Sequence, residues 1–263
     1  MSSILSNRVQ KVKPSATMAV TAKANELKAQ GIKVVPMGSG EPDFDTPSNI
    51  QNAAVAAIRG GQTRYTAVDG TAELKSAIRD KFMRDNELEY NANEVMVSCG
   101  GKQVFYNLCQ AILNEGDEVI IPGPYWVSYP DMAILADATP VIIVTGLDQG
   151  FKITPEQLES SITKNSKLLV LNSPSNPTGA VYTKEEIEDL GKVLERHPQV
   201  FIISDDIYEH ILLGDDEFVN IAMACPKLKD RIIILNGVSK AYAMTGWRIG
   251  YAAGPEGIIK AMK

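Results

Sequence analysis

The sequence predicts an α/β protein, a three-layer arrangement with a mostly parallel sheet between two layers of helix. Three observations predict it. Apolar strand runs alternate with helical patterns along most of the chain. The runs are near-continuous Val, Ile and Leu, as expected when both faces of a sheet are buried. Residues of unusual chemistry gather where those runs end, which is where open parallel sheets bind ligands.

The elements follow in order. "SATMAVTAKANELKAQG" reads as an amphipathic helix stopped by Gly31, and "GSGEPDFDTP" as a turn-rich connector. "EVMVSCGGKQ" is a short strand entering a Gly-Gly turn, with the helical pattern "VFYNLCQAIL" behind it. "DEVIIPGPYW" is a strand ending at Pro-Gly-Pro, and "PVIIVT" is the next. "TPEQLESSI" is a helix with Thr154 as N-cap and Pro155 at its first position. The strands "SKLLVLNSPSNPTG" and "VFIISDDIY" flank the helix "TKEEIEDLGKVLERH", and "RIIILNGVSK" completes the set. The stretch "ILNGVSKAYAMTGWRIGYAAG" starts as one apolar strand and ends as another, with Lys240 and Arg248 between them.

Bulk properties narrow the class. The 263 residues suffice for one large domain or two small ones. A composition of 44% apolar and 22% charged residues is that of an ordinary globular protein. A net charge of −6 argues against nucleic acid or an anionic membrane as the main partner. No apolar run approaches the ~20 residues of a spanning helix, and the N-terminus shows no h-region of a secretory signal. Cys99, Cys109 and Cys225 lack metal-ligand spacing and read as reduced thiols in a cytoplasm. With only His197 and His210, a histidine-rich metal site is not expected.

The candidate site residues stand at the strand ends: Gly100, Gly101, Lys102, Trp126, Asn176, Asp205, Tyr208 and Lys240. Each has a plain structural alternative. "CGGKQ" is a tight turn, or else an anion cradle in which helix N-terminal N–H groups face a phosphate. "NPTG" is a turn, "DD" a helix cap or solvated pair, and Trp126 core filler. Lys240 is more demanding. A lysine ending a buried run incurs a desolvation cost unless it is paired, neutral, or able to reach solvent. Burial lowers an amine's pKa and makes it a nucleophile. The joint occurrence of these features, at matching strand ends, favours a site.

"GVSKAYAMTGWRIG" matches a long lysine-site pattern position by position, and "GEPDFDTP", "YTAVDG", "CGGKQ", "PYWVSYP", "SPSNPTG" and "SDDIYEH" occur in the matching order. On these motifs the chain, from Pro14 to Lys263, resembles the class I, fold-type-I pyridoxal-phosphate (PLP)-dependent aminotransferases. "PSATMAV" and "GGKQ" point within them to the bacterial aspartate aminotransferase subgroup.

The resemblance implies PLP as cofactor, bound to Lys240 as a Schiff base, with Lys240 then acting as proton shuttle. It implies Asp205 as the partner of the ring nitrogen, because Asp205 stands three residues before Tyr208; periodicity alone does not choose between Asp205 and Asp206. Tyr208 and Asn176 would donate to the ring's phenolic oxygen, and Trp126 would stack on the ring. Arg248 and the Gly101 and Lys102 amides would hold the phosphate, with Gly100 in the same turn. Many relatives carry Ser or Thr where Gly237 stands, so Ser239 is expected to take over part of that role. Tyr65 would reach the neighbouring subunit's phosphate, implying a homodimer. Gly40, Trp126 and Asn176 would contact substrate, and Lys102, Ser15 and Thr17 would select a dicarboxylate.

The resemblance further divides the chain into an arm and connector, residues 1–45, and a large PLP-binding domain, residues 46–263. Relatives continue by on the order of another hundred residues. A C-terminal small domain carrying the α-carboxylate arginine is therefore expected to be absent here, and the chain alone to transaminate poorly. The expected activity is amino transfer from L-aspartate to 2-oxoglutarate. Another amino donor, a β-lyase, or a non-catalytic PLP-binding fragment are the alternatives. A regulatory fusion is disfavoured by the lack of a basic helix-turn-helix segment, and a dinucleotide-dependent dehydrogenase by the lack of G-x-G-x-x-G after the first strand.

Overall fold

The computed structural model describes residues 4–14, 16–35, 37–38 and 40–263. Seven strands form one sheet: β1 (Val95–Ser98), β2 (Glu118–Gly123), β3 (Thr139–Val144), β4 (Ser166–Asn172), β5 (Phe201–Asp205), β6 (Ile232–Gly237) and β7 (Gly250–Ala253). Their order is β1-β7-β6-β5-β4-β2-β3. From β6 through β5, β4 and β2 to β3 every pairing is parallel. Strand β7 runs antiparallel to both β6 and β1. Residues 238–249 join β6 to β7 with a single 3₁₀ turn and no crossover helix to carry the chain back for a parallel return, and the chain comes back in the opposite direction.

The helices are α1 (Asn7–Lys11), α2 (Ala16–Ala29), α3 (Ser48–Arg59), α4 (Ala72–Asn86), α5 (Gly101–Ile112), α6 (Ser128–Leu135), α7 (Pro155–Ser161), α8 (Lys184–Glu195), α9 (Ile221–Ala224) and α10 (Glu256–Met262). The two-residue period of a strand divides the sheet's side chains between two cores. Leu169, Ile202, Ile232 and Ile234 face Ile78 and Phe82 of α4, Leu158 of α7, and Ile187, Leu190 and Leu194 of α8. Their neighbours Leu168, Val170, Ile203, Ile233 and Leu235 face Val104, Phe105 and Leu108 of α5, Tyr129 and Met132 of α6, and Ile259 and Met262 of α10. Both faces are covered, which gives the three layers and explains the unbroken apolar runs.

Local signals act as expected in several places. Thr154 and Gln157 form a reciprocal capping box, with Gln157 N–H donating to Thr154 Oγ1 at 3.3 Å and Thr154 N–H to Gln157 Oε1 at 2.9 Å. Thr183 and Glu186 do the same for α8. Helix α2 gives way to a turn at Gly31, whose φ is +81°. Its amphipathic reading is not realised as packing: Met18 and Val20 are exposed, and α1 and α3 bury no residue either. Helices α3 and α4 are not among the predicted elements, although Ile50, Ala54, Ala57 and Ile58, and then Leu74, Ile78 and Phe82, recur at helical spacing. Among the described residues no helix is long and apolar enough to cross a membrane, and no group of three His, Cys, Asp or Glu could hold a metal ion.

Candidate functional site

A cleft of about 210 Å³ opens at the carboxyl ends of the parallel strands. It is lined by Gly101 and Lys102 at the start of α5, Trp126 and Tyr129 around the start of α6, and Asn172 at the end of β4. Asn176, Asp205 and Tyr208 line it too, as do Ser239, Lys240, Thr245 and Arg248 beyond β6. A larger cavity, of about 610 Å³, lies between the end of α4 and residues 181–185 and 216–226. It gathers Glu87, Glu185, Asp216 and Glu217 with Lys184, but none of the strand-end residues. The smaller cleft is the one that gathers predicted strand-end residues.

One end of the cleft is built for an anion. Gly100 caps α5 with φ +90° and ψ 164°, a conformation essentially confined to glycine. A Cβ there would collide with the Arg248 guanidinium, so the glycine makes room for that charge. Arg248 donates from Nη1 to the Thr245 carbonyl at 2.8 Å and from Nη2 to the Cys99 carbonyl at 3.5 Å. The amides of Gly101 and Lys102, in the first turn of α5, find no acceptor among the described residues. Two free N–H groups at a helix N-terminus beside a guanidinium form an anion-binding donor set.

The middle of the cleft holds the amine. Lys240 Nζ donates to the Gly40 carbonyl and lies 5.7 Å from the centroid of the Tyr208 ring. Burial pushes its pKa down, Glu41 works against that, and Arg248 lowers it further. Burial likewise raises the Tyr208 phenol; Asp205 adds to the rise, and the Asn176 contact, with Nδ2 3.5 Å from the phenol oxygen, opposes it. Asn176 is itself held by its N–H on Asn172 Oδ1 at 2.8 Å.

At the far end stands Asp205, 4% exposed. Burial pushes its carboxyl up to about 6, against the pull of hydrogen bonds from the Tyr129 hydroxyl and the Ile207 amide. The choice between the two aspartates is now a matter of geometry. Asp206 turns away from the cleft and accepts from Ser204 Oγ at 2.7 Å and Asn220 Nδ2 at 2.6 Å. Trp126 is half-buried beside Tyr129, with Lys102 Nζ 5.2 Å from its ring. Ser239 is buried next to Lys240.

Several expected site residues are not brought into the cleft. Tyr65 is fully exposed, and Thr17 sits on α2, where its carbonyl accepts from Thr21 Oγ1. Gly40 is present only through its carbonyl on Lys240. Ser15 lies outside the described residues. Conversely, Tyr129, Asn172 and Thr245 line the cleft without having been singled out. Tyr129 stands inside the quoted motif "PYWVSYP", three residues after Trp126, the spacing that puts two side chains on one helical face.

The family description "Aminotransferase class I and II" matches residues 32–263. The chain belongs to that family. An aspartate/prephenate aminotransferase of Nitrosomonas europaea is 60% identical over 259 residues, which are 98% of this chain and 65% of the relative. An aspartate aminotransferase of Bacillus sp. strain YM-2 is 54% identical over 263 residues, 100% of this chain and 67% of the relative. Among solved structures, the aspartate aminotransferase of Rhizobium meliloti superposes with a TM-score of 0.95 at 48% identity, covering 98% of this chain and 64% of that one. The Thermus thermophilus aspartate aminotransferase with maleate gives 0.93 at 48% identity, covering 98% and 66%. The chain thus spans about two thirds of the length of the relatives it matches.

Class I aminotransferases use PLP, and this cleft fits it. The cofactor has a phosphate, a carbonyl, a phenolic oxygen and a ring nitrogen. The Gly100 cradle with Arg248 and two free amides suits the first. The Lys240 amine suits the second, the Tyr208–Asn176 pair the third, and the buried Asp205 carboxylate the fourth.

Proposed function

We propose that the protein built on this chain is a PLP-dependent aminotransferase that moves the amino group of L-aspartate to 2-oxoglutarate, giving oxaloacetate and L-glutamate. One observation carries the reading: a lysine amine and a buried carboxylate share a cleft whose other end is an anion cradle. When bound, PLP supplies a carbonyl that condenses with amines and a ring that accepts electron density from the substrate's Cα.

The chain's own residues do the rest. Arg248 and the Gly101 and Lys102 amides fix the phosphate end. Trp126 offers a flat apolar face to a flat ring, worth roughly 1 kcal/mol beyond area burial. Tyr208 and Asn176 orient the phenolic oxygen. Asp205 holds a negative charge where a ring N–H needs an acceptor. Lys240 Nζ, kept closer to neutrality by burial, takes the proton from substrate Cα and returns it. Lys102, leaning over Trp126, is the charge available for a distal carboxylate.

Relatives named aspartate aminotransferase, and the Thermus thermophilus structure with maleate, a dicarboxylate, support a substrate with two carboxylates. Relatives named aspartate/prephenate aminotransferase support prephenate, also a dicarboxylate, as a second substrate. A homodimer is part of the proposal: Tyr65 is fully exposed, and Val55, Ile58 and Val68, within ten residues of it in sequence, are exposed too, as suits residues that meet a second copy. Three free cysteines suit a reducing cytoplasm. Product analysis tests the reading. Aspartate and 2-oxoglutarate should yield oxaloacetate and glutamate in equal amounts; a protein that leaves this pair unreacted and instead releases a thiol, pyruvate and ammonia from a β-thio-substituted amino acid would be a β-lyase.

A further inference from the structure

We infer that Tyr129 is a positioning residue for the ring end of the cleft: its phenol O–H holds the Asp205 carboxylate, oriented and ionised, for a ring N–H of the cofactor. The inference rests on the PLP reading above and concerns a residue that the motif pattern leaves without a role.

The geometry is specific. Tyr129 lies in the first turn of α6 and is 1% exposed. Its hydroxyl donates to Asp205 Oδ2 at 2.5 Å, across 76 positions of sequence. The ring packs at 5.0 Å from Phe105 and edge-on to Trp126 at 5.3 Å. Those contacts would be met equally by phenylalanine, so packing does not account for the hydroxyl. A buried phenol needs an acceptor, and Asp205 is the one it reaches.

Seen from Asp205, the hydroxyl matters more. No cation pairs with this carboxylate among the described residues. Its other donor is the Ile207 amide, at a long 3.3 Å on Oδ1. Oδ2 is thus engaged by a short bond, while Oδ1 keeps acceptor capacity toward the cleft that Asp205 lines. An isolated buried carboxylate takes up a proton rather than remain charged. A protonated Asp205 could no longer accept from a ring N–H with full charge. Tyr129 opposes that outcome, because burial and the adjacent Asp205 hold its own proton tightly, leaving it a donor. Through its edge on Trp126 the same ring also steadies the stacking face.

The test compares two ligands in equilibrium binding: PLP, and its carbocyclic analogue with C–H in place of the ring nitrogen. Tyr129→Phe should weaken PLP binding roughly tenfold or more, the range of a lost hydrogen bond to a charged group. It should change binding of the analogue less than about twofold, since the analogue makes no use of Asp205. p-Aminophenylalanine at position 129 keeps the ring and a weaker donor. It should bind PLP with intermediate affinity and the analogue unchanged, and it gives the answer even where the Phe variant does not fold. Equal losses for both ligands, or no loss for PLP, would overturn the inference and leave Tyr129 a packing residue. A wild-type protein that binds PLP no better than a non-specific amine scavenger would instead sink the cofactor reading itself.

Discussion

Gly100→Ala separates two consequences of one missing side chain. The first is backbone strain: φ +90° with ψ 164° lies in territory that costs an L-residue roughly 1–3 kcal/mol. For a chain of this size that lowers Tm by roughly 2–12 °C. The second is the collision of a Cβ with the Arg248 guanidinium. That group is the far end of a flexible, exposed side chain, so it swings aside instead of forcing the core apart. In doing so it gives up its bonds to the Thr245 and Cys99 carbonyls and its place beside the free amides. The loss therefore falls on binding of the phosphate. One charge-assisted contact is worth ~1.5–3 kcal/mol, so PLP affinity should drop by roughly 10- to 150-fold.

The assay is a fluorescence titration with PLP and, in parallel, with pyridoxal, which lacks the phosphate and should be little affected. Gly116→Ala is the control. Its φ of +93° imposes similar strain, and nothing lies within 4 Å of its missing Cβ. That variant should melt lower yet bind PLP as the wild type does. If Gly100→Ala binds PLP undiminished, or loses PLP and pyridoxal alike, the cradle is not the phosphate site.

Lys240→Ala should abolish the borohydride-trapped pyridoxyl-lysine; a reduced lysine adduct recovered from the variant would place the reactive amine elsewhere. Lys102→Ala should lower kcat/KM for aspartate by roughly 10- to 150-fold and that for alanine far less, whereas equal losses would assign Lys102 to the cofactor or the fold. Asp205→Asn should stabilise the cofactor-free protein at neutral pH. Asp205 titrates near 6 in the folded chain and near 3.9 unfolded, so the wild type loses up to ~3 kcal/mol as pH rises through that window. The difference between the two proteins' melting temperatures should be small near pH 4 and full above pH 7, and a constant offset across pH would contradict it.

The sheet, and the edge where the cleft opens, were legible in the sequence because burial on both faces leaves an unmistakable residue type. Leu168 to Leu171 and Ile232 to Leu235 are apolar at every position, since odd and even residues enter different cores. Chemistry at strand ends was legible for the same reason, being what interrupts those runs. Helix α3 went unpredicted, although Ile50, Ala54, Ala57 and Ile58 recur at helical spacing; the stripe is half alanine and none of it is buried in this chain. Helix α4 anchors chiefly through Ile78 and Phe82 amid charged residues, which with Leu74 make a sparse stripe. Gly100 announced a turn, but the guanidinium that demands the glycine belongs to Arg248, far along the chain. Tyr129 shared a motif with Trp126, but its role had no local signature, because a hydrogen bond to Asp205 exists only once α6 and β5 are packed. The pattern records burial, which is local and periodic; it does not record which polar atoms meet.

Burial acts in opposite senses on the two groups that matter most in this cleft. It drives the Asp205 carboxyl up and the Lys240 amine down, each toward its neutral form. The proposed chemistry needs different outcomes: a neutral amine free to attack a carbonyl, and a charged carboxylate that can hold an N–H. Desolvation alone therefore serves Lys240 and harms Asp205. The hydrogen bonds are distributed accordingly. Asp205 receives two donors, from Tyr129 and Ile207, which favour its charged form. Lys240 has Glu41 nearby, which favours its charged form and outweighs the smaller repulsion from Arg248, so burial carries its downward shift. A phosphate dianion seated on Arg248 would cancel much of that repulsion by Coulomb's law. The phosphate and the carbonyl belong to one cofactor, so that repulsion is already largely cancelled when Lys240 meets the carbonyl, and burial is what holds the amine toward its neutral form at that moment.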